Sequence, residues 1–258
     1  MQVVHGVEQL SAEHGPAFVV IGAFDGIHLG HLYLLRHLVI EALARDAQPT
    51  VITFDHHPDE ILTGHAPPLL LDPRERLQRL AAAGVAVTVV QHFDQALRQT
   101  PYDAFVERIR DRVELRGFLM TPDAAFGYER RGTPEALAEL GERRGFDAVV
   151  VAPFALDGQP VHSAAIRAAI AGGDLSTAAG LLGRPISLTG GVEEDGGLRF
   201  ELPMALPSEG IYRAFIADMP ATLEVRAGRA YLRDTHPTDR ATVELVARES
   251  DASAIARS

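Results

Sequence analysis

Two architectures follow one another in this 258-residue sequence: a doubly wound parallel α/β sheet, then a small antiparallel β-barrel or sandwich. Three observations predict this. Up to about residue 185, short apolar runs alternate with segments of helical period, the pattern of strands joined by crossover helices. The runs are continuously apolar, as strands buried on both faces are. After LLGRP at 181–185 the pattern changes to six short strand-like runs between Gly-, Pro- and Asp-rich turns. The expected domains are residues 1–185 and 186–258.

The elements follow in order. AFVVIGAF at 17–24 reads as a buried strand. Leu34, Leu35, Leu38, Val39, Ala42 and Leu43 mark a helix over 30–45. PTVITF at 49–54 is a strand, and PRERLQRLAAAG at 73–84 is a helix with proline at its start and glycine at its end. VAVTVV at 85–90 is a strand. A helix near 101–115 leads into the strand RGFLMT at 116–121. PEALAELGERRG at 134–145 is a helix and DAVVVAPF at 147–154 a strand. Two short helices close the first domain, near 163–171 and 174–182. The second domain carries PISLTG, GLRFELP, GIYRAFIA, ATLEVRA, RAYLRD and ATVELVAR as strands, and ESDASAIARS as a frayed end.

Composition excludes several chemistries. The net charge of −11 argues against a nucleic-acid surface. There is no cysteine, so thiolate catalysis, disulfides and cysteine metal sites are out. Every Lys or Arg position is arginine. A Walker P-loop, a pyridoxal Schiff base and a protein-kinase strand lysine are therefore unavailable. Arginine can still clamp phosphate with its fork of donors. The stretch MQVVHGVEQL lacks the features of a signal peptide, and no apolar run approaches the ~20 residues of a membrane span. The expectation is a soluble, cytoplasmic protein with no membrane partner.

GAFDGIHLGH at 22–31 ends the strand at 17–24 and opens the following helix. In open parallel sheets, ligands sit beyond the carboxyl ends of strands. Gly22 and Gly26 allow a tight turn, and Gly30 allows close helix packing. The helix N-terminus favours phosphate. His28 and His31 stand at that end, where they can donate to a phosphate or, as an i, i+3 pair, bind a metal. No third ligand is evident beside them. His56 and His57 are candidates but follow a different strand, so no metal site is expected.

These residues resemble the GxFDGxHxGH signature of the nucleotidyltransferase superfamily. Three further segments are similar, in order, to the bacterial bifunctional riboflavin kinase/FMN adenylyltransferase (FAD synthetase) family. VITFDHHPDEIL at 51–62 resembles its TFDPHP segment. PDAAFGYERRGT at 122–133 resembles its DFxFG segment. VHSAAIRAAIAGGDLSTAAGLLGRP at 161–185 resembles its ISSTxIR…LLGRP segment. The resemblance implies a Rossmann-like nucleotidyltransferase domain that transfers AMP from ATP to FMN and releases pyrophosphate. ATP and FMN are then the small-molecule substrates, Mg²⁺ enters with ATP, and FAD is the product. It implies that His28, His31 and Arg167 act on the ATP phosphates, with Ser163 donating to a phosphate or capping its helix. Phe24 and Asp25 would fix the phosphate turn. Asp123 would lie near the flavin phosphate, and Phe126 and Gly127 beside the flavin ring. Asp55 and His57 either take part or only hold their loop, and Phe126 is equally a core residue.

The sequence departs from that pattern in places. The family's ISST reads Val161-His162-Ser163-Ala164, and the DFxFG phenylalanine is Ala124. Losing one hydrogen bond to a charged group costs about 1.5–3 kcal/mol. A different phosphorylated acceptor or nucleotide, or a non-catalytic binding paralogue, therefore stands beside the FMN reading. The family's kinase segment GFPTAN is matched by Glu201 to Leu206, with Met204 and Leu206 in place of threonine and asparagine. Neither side chain can hold a hard cation. Residues 186–258 are expected to be a truncated, degenerate riboflavin-kinase-like β domain kept for packing or homo-oligomer contacts.

Overall fold

A computed structural model describes residues 1–233 and 239–249. The frayed end expected for 249–258 lies, but for Glu249, outside the described residues. The chain divides into two units. One comprises Met1–Phe24, Gly30–Pro67 and Leu77–Pro160; the other comprises Asp25–Leu29, Pro68–Arg76 and the chain from Val161 on.

The first unit is built on a six-stranded, wholly parallel sheet. Its strands are β1 (Gln2–His5), β2 (Ala17–Ile21), β3 (Gln48–Phe54), β4 (Val87–Gln91), β5 (Leu115–Met120) and β6 (Asp147–Val150), in the order β1-β4-β3-β2-β5-β6. The interleaved helices are α1 (Leu29–Leu43), α2 (Pro58–Thr63), α3 (Pro73–Ala82), α4 (Gln95–Arg98), α5 (Tyr102–Arg110) and α6 (Pro134–Arg144). The apolar run at 17–24 is a strand only to Ile21; Gly22, Ala23 and Phe24 already turn. Val19, Ile52, Val87, Val89 and Phe118 are buried in the sheet, as parallel strands covered on both faces require. Phe105, Val106 and Ile109 of α5 and Leu137 and Leu140 of α6 pack into the same core.

Local chemistry sets the helix ends. Thr133 accepts from the Ala136 N–H to cap α6, which has Pro134 in its first turn. Asp94 caps α4 through the Leu97 N–H. The strand expected to run to 154 stops at Val150, because its partner β5 ends at Met120. The helix expected to reach 115 stops at Arg110. The edge strand β1 was not evident in sequence: its four residues carry one buried side chain, and only pairing with β4 defines it. After β6 comes a short hairpin, β7 (Ala155–Leu156) with β8 (Gln159–Pro160).

Strand order reverses between β2 and β5. From β2 the chain moves through β3 to β4 on one side; from β5 it moves to β6 on the other. Such a switch point opens a crevice at the carboxyl ends of the strands. GAFDGIHLGH leaves β2 and TPDAAFGYERR leaves β5, so both motif loops start at that reversal.

The second unit holds α7 (Ser163–Ala171), α8 (Leu175–Leu182) and six strands: β9 (Ile186–Val192), β10 (Leu198–Arg199), β11 (Gly210–Ile216), β12 (Met219–Arg226), β13 (Arg229–Leu232) and β14 (Arg240–Arg248). They form one antiparallel sheet in the order β10-β9-β14-β11-β12-β13. A bridge between Gly197 and Tyr231 and a Leu232 N–H bond to Gly196 O at 2.9 Å join its two edges into a small barrel. Tyr212, Leu223, Val243 and Leu188 fill the interior, alternating with exposed neighbours. The two-residue turns at 217–218 and 227–228 have positive φ at both positions, the twist that favours tight hairpins.

Residues 68–76 are stitched to this barrel. Leu69 donates to Pro203 O and accepts from the Ala205 N–H, both at 2.8 Å. Glu75 accepts from the Ser187 and Thr189 hydroxyls, and Arg240 reaches Asp72.

Candidate functional site

The turn after β2 is held in strained backbone. Phe24 has φ 49°, Gly26 86° and Ile27 40°. For a β-branched residue such as Ile27 this is an outlier. Each such non-glycine residue costs of order 1–3 kcal/mol, and such costs gather at ligand sites. The turn is anchored in the first unit by the Gly22 N–H to Ile52 O at 3.0 Å and by the Thr53 hydroxyl to Ala23 O at 3.0 Å. Phe24 is buried, and its ring lies 5.1 Å from that of His31. Gly30 and His31 belong to the first turn of α1 and are half-buried.

In the second unit Asp25 is the organising residue. Its buried carboxylate accepts from the Leu70 N–H at 2.9 and 3.1 Å and from Arg167 Nη2 at 2.6 Å. Burial pushes the Asp25 carboxyl above its ordinary value, against the pull of Arg167, the Leu70 N–H and Arg76. Arg167 also donates through Nε to Pro68 O at 2.8 Å. The Ser163 hydroxyl donates to Asp25 O at 3.1 Å; the cap position of α7 is His162, whose side chain makes no capping bond. Arg184 donates to Gly26 O at 2.6 Å. A Cβ on Gly26 would sit 3.0 Å from Leu70 and force φ 86° on a side chain.

His28 is buried in the same unit. Burial, then the charges of His162, Arg167 and Arg184, lower its pKa from 6.5 to about 4. It is therefore a neutral imidazole near pH 7, able to donate one hydrogen bond but not to act as a standing cation. The unit thus brings His28, Asp25, Gly26, Ser163 and Arg167 together. Sequence reasoning missed Arg184 and the Pro68–Leu70 backbone. Arg184 lies in the LLGRP segment 158 residues from Gly26, and Leu70 contributes an N–H that no side-chain pattern reveals.

A second feature lies wholly in the first unit: a cavity of about 570 Å³ over the carboxyl ends of β2 to β5. Its walls include Gly22, Phe54, Phe93, Leu62, Phe126 and Tyr128. Phe126 is both wall and core, with its ring 6.1 Å from Phe105 and 5.8 Å from Phe118. Gly127 also lines the cavity. It has φ 76°, and a Cβ there would lie 2.6 Å from the Tyr102 backbone nitrogen. Ala124, where the resembled motif has a phenylalanine, lines it too.

The remaining expected residues are placed as follows. Asp123 is exposed, accepts from the Thr121 hydroxyl at 2.8 Å and is not part of the cavity wall. Arg130, not a sequence candidate, also lines the cavity, with positive φ. His57 caps α2 by accepting from the Asp59 N–H at 3.2 Å. Asp55 accepts from His92 Nδ1 at 2.6 Å and from the Phe93 N–H at 3.2 Å. Burial alone would raise its pKa, but the bonds from His92, Phe93 and His56 hold it below the ordinary value. His92 had not been singled out, being 37 residues from Asp55 in sequence. No helix among the described residues is long and apolar enough to cross a membrane.

A parallel α/β sheet with a histidine-bearing turn at its switch point is the frame of a Rossmann-like nucleotidyltransferase domain. The FAD synthetase family profile matches residues 10–165, more than half of the chain, and the chain belongs to that family. It is 33% identical over 194 residues to a bifunctional riboflavin kinase/FMN adenylyltransferase of Haemophilus influenzae, covering 74% of this chain and 63% of that protein. It is 31% identical over 195 residues to the protein of the same name from Escherichia coli, covering 74% and 62%. The matches thus span about three-fifths of the relatives' lengths. A crystal structure described as a macrolide-efflux protein from Streptococcus pneumoniae shares the fold, with TM-score 0.77 at 22% identity over 97% of this chain and 92% of that one.

Proposed function

We propose that the chain is an FMN adenylyltransferase. An oxygen of the FMN phosphate attacks the α-phosphorus of ATP, the bond to the bridging oxygen of pyrophosphate breaks, and FAD and pyrophosphate leave. The observation that carries the reading is the strained Phe24–Ile27 turn, fastened through Asp25 to the family's xIR arginine, Arg167. Family membership and the names of the two relatives support it.

This reaction needs positioning and charge neutralisation more than a covalent nucleophile. The first turn of α1 presents backbone N–H groups, and neutral His28 donates rather than clamps. His31, held beside Phe24, is the second donor. Arg167 has five N–H donors, and its bonds to Asp25 and Pro68 pre-set the orientation of the rest. Mg²⁺ travels with ATP as part of the substrate. The flavin ring takes the apolar cavity, against Phe126 and Gly127. Asp55 and His57 hold the loop that carries part of the cavity wall. Asp123 approaches the flavin phosphate only with a cation between, since two anions repel. The reading places the enzyme in the cytoplasm, where ATP is made.

Residues 186–258 carry no riboflavin kinase activity in this reading. Met204 is buried, and its neighbours Pro203 and Ala205 are spent on backbone bonds to Leu69. Riboflavin with Mg²⁺-ATP should yield no FMN above background.

The test is incubation with FMN, Mg²⁺ and each nucleoside triphosphate, following FAD and pyrophosphate. Equal amounts of both from ATP are expected. Absence of FAD with every nucleotide and divalent cation overturns the reading. The Ala124 and Ala164 replacements favour one competitor, a different phosphorylated acceptor, which pyrophosphate release from another acceptor would reveal.

A further inference from the structure

We propose that Asp55, His56 and His92 form a binding site for a divalent transition metal of the Zn²⁺ type. Asp55 and His56 follow β3, and His92 follows β4, so parallel neighbours deliver all three to one end of the sheet. One ligand atom from each lies within 4.8 Å of the other two. Asp55 Oδ2 is 2.6 Å from His92 Nδ1, and Asp55 Oδ1 is 3.3 Å from His56 Nδ1. The imidazole rings meet nearly edge-on, with centroids 6.2 Å apart.

Two imidazoles and one carboxylate match the catalytic-type zinc set of three protein ligands with one open position. The nitrogen content disfavours Mg²⁺ and Ca²⁺, which take oxygen ligands. With metal–ligand bonds of about 2.0–2.2 Å, tetrahedral ligand atoms lie about 3.4 Å apart. The set is open by up to about 1.4 Å at its widest, a gap that rotation of two exposed imidazoles closes. Metal then replaces the proton that His92 Nδ1 shares with Asp55.

The site has a structural consequence for the cavity. Asp55 is flanked by Phe54, and His92 by Phe93; these rings touch edge to face at 5.2 Å and both line the cavity. A bound ion would tie the two wall-bearing loops together.

The test uses the whole chain in chelator-free buffer. Zn²⁺ titration by calorimetry, with Co²⁺ absorption as a report on geometry, should show one saturable equivalent. His92→Ala and His56→Ala should each weaken binding at least tenfold, with circular dichroism unchanged. His57→Ala, which removes the adjacent histidine, should leave it intact. No saturable equivalent, binding unaffected by His92→Ala, or equal loss in His57→Ala would overturn the assignment and leave the Asp55–His92 contact as a hydrogen bond only.

Discussion

Arg167 donates to the buried carboxylate of Asp25 across 142 residues of sequence, at 2.6 Å. The pair ties α7 to the strained turn and leaves Asp25 only 3% exposed. Removing one partner of a buried pair strands the other charge, at about 3–5 kcal/mol. Asp25→Ala should therefore lose stability in that range, measured by urea unfolding. A loss within 1 kcal/mol would mean that solvent reaches Arg167 and that the pair does not hold the turn.

His28 predicts an acid-side loss of stability. Its folded pKa is depressed to about 4, whereas the unfolded chain binds the proton near 6.5. Between those values the unfolded state holds more protons, so stability falls as pH drops through the window. The total is about 3 kcal/mol for a shift of this size. His28→Asn should lack that part of the pH dependence. The measurement is the difference in urea midpoint between wild type and variant from pH 7 to 4. A flat difference would place His28 in contact with water.

His31 should separate catalysis from folding. It is half-buried in the first turn of α1, with its ring beside that of Phe24. His31→Ala should cost about 1 kcal/mol or less, the scale of one aromatic contact. FAD synthesis should fall by at least a hundredfold at saturating substrates. Wild-type turnover in the variant would remove His31 from the phosphate site.

The cavity makes a prediction about flavin alone. Leu62 of α2 lines it yet is 47% exposed, so a charge there is tolerated by the fold. Leu62→Glu should weaken FMN binding at least tenfold, read from quenching of flavin fluorescence, with ATP affinity unchanged. Equal FMN affinity would place the ring elsewhere.

His92 should titrate above 6.5, because its hydrogen bond to Asp55, and then the Asp55 charge, favour the protonated ring. Asp55 is shifted down, so the contact is lost at low pH as Asp55 protonates. For His92 the sign is opposite: its contribution is complete below 6.5 and disappears as pH rises through the elevated value. Proton NMR of the ring should show the midpoint, and Asp55→Asn should return it toward 6.5.

The alternation of apolar runs and helical periods was legible in sequence because burial on both faces of a parallel strand demands continuous apolar residues. The six later runs were equally plain, since turn chemistry is local: Ala217-Asp218 and Ala227-Gly228 adopt the positive φ that a two-residue hairpin needs. The histidine-bearing turn could be placed at a strand end for the same reason. β1 escaped notice because four residues with one buried side chain carry no period of their own.

Sequence alone thus determined most of the strands and the longer helices, and which motif side chains stand at strand ends. Tertiary structure decided what those side chains do. Arg167 meets Asp25, Leu69 pairs with Met204, and His92 reaches Asp55 only after chain reversals bring distant segments side by side. The neutrality of His28 has the same origin. An ordinary histidine becomes a poor base only when folding strips its water and gathers His162, Arg167 and Arg184 around it. Desolvation and long-range charge depend on the whole packed unit, and no local pattern of residues encodes them.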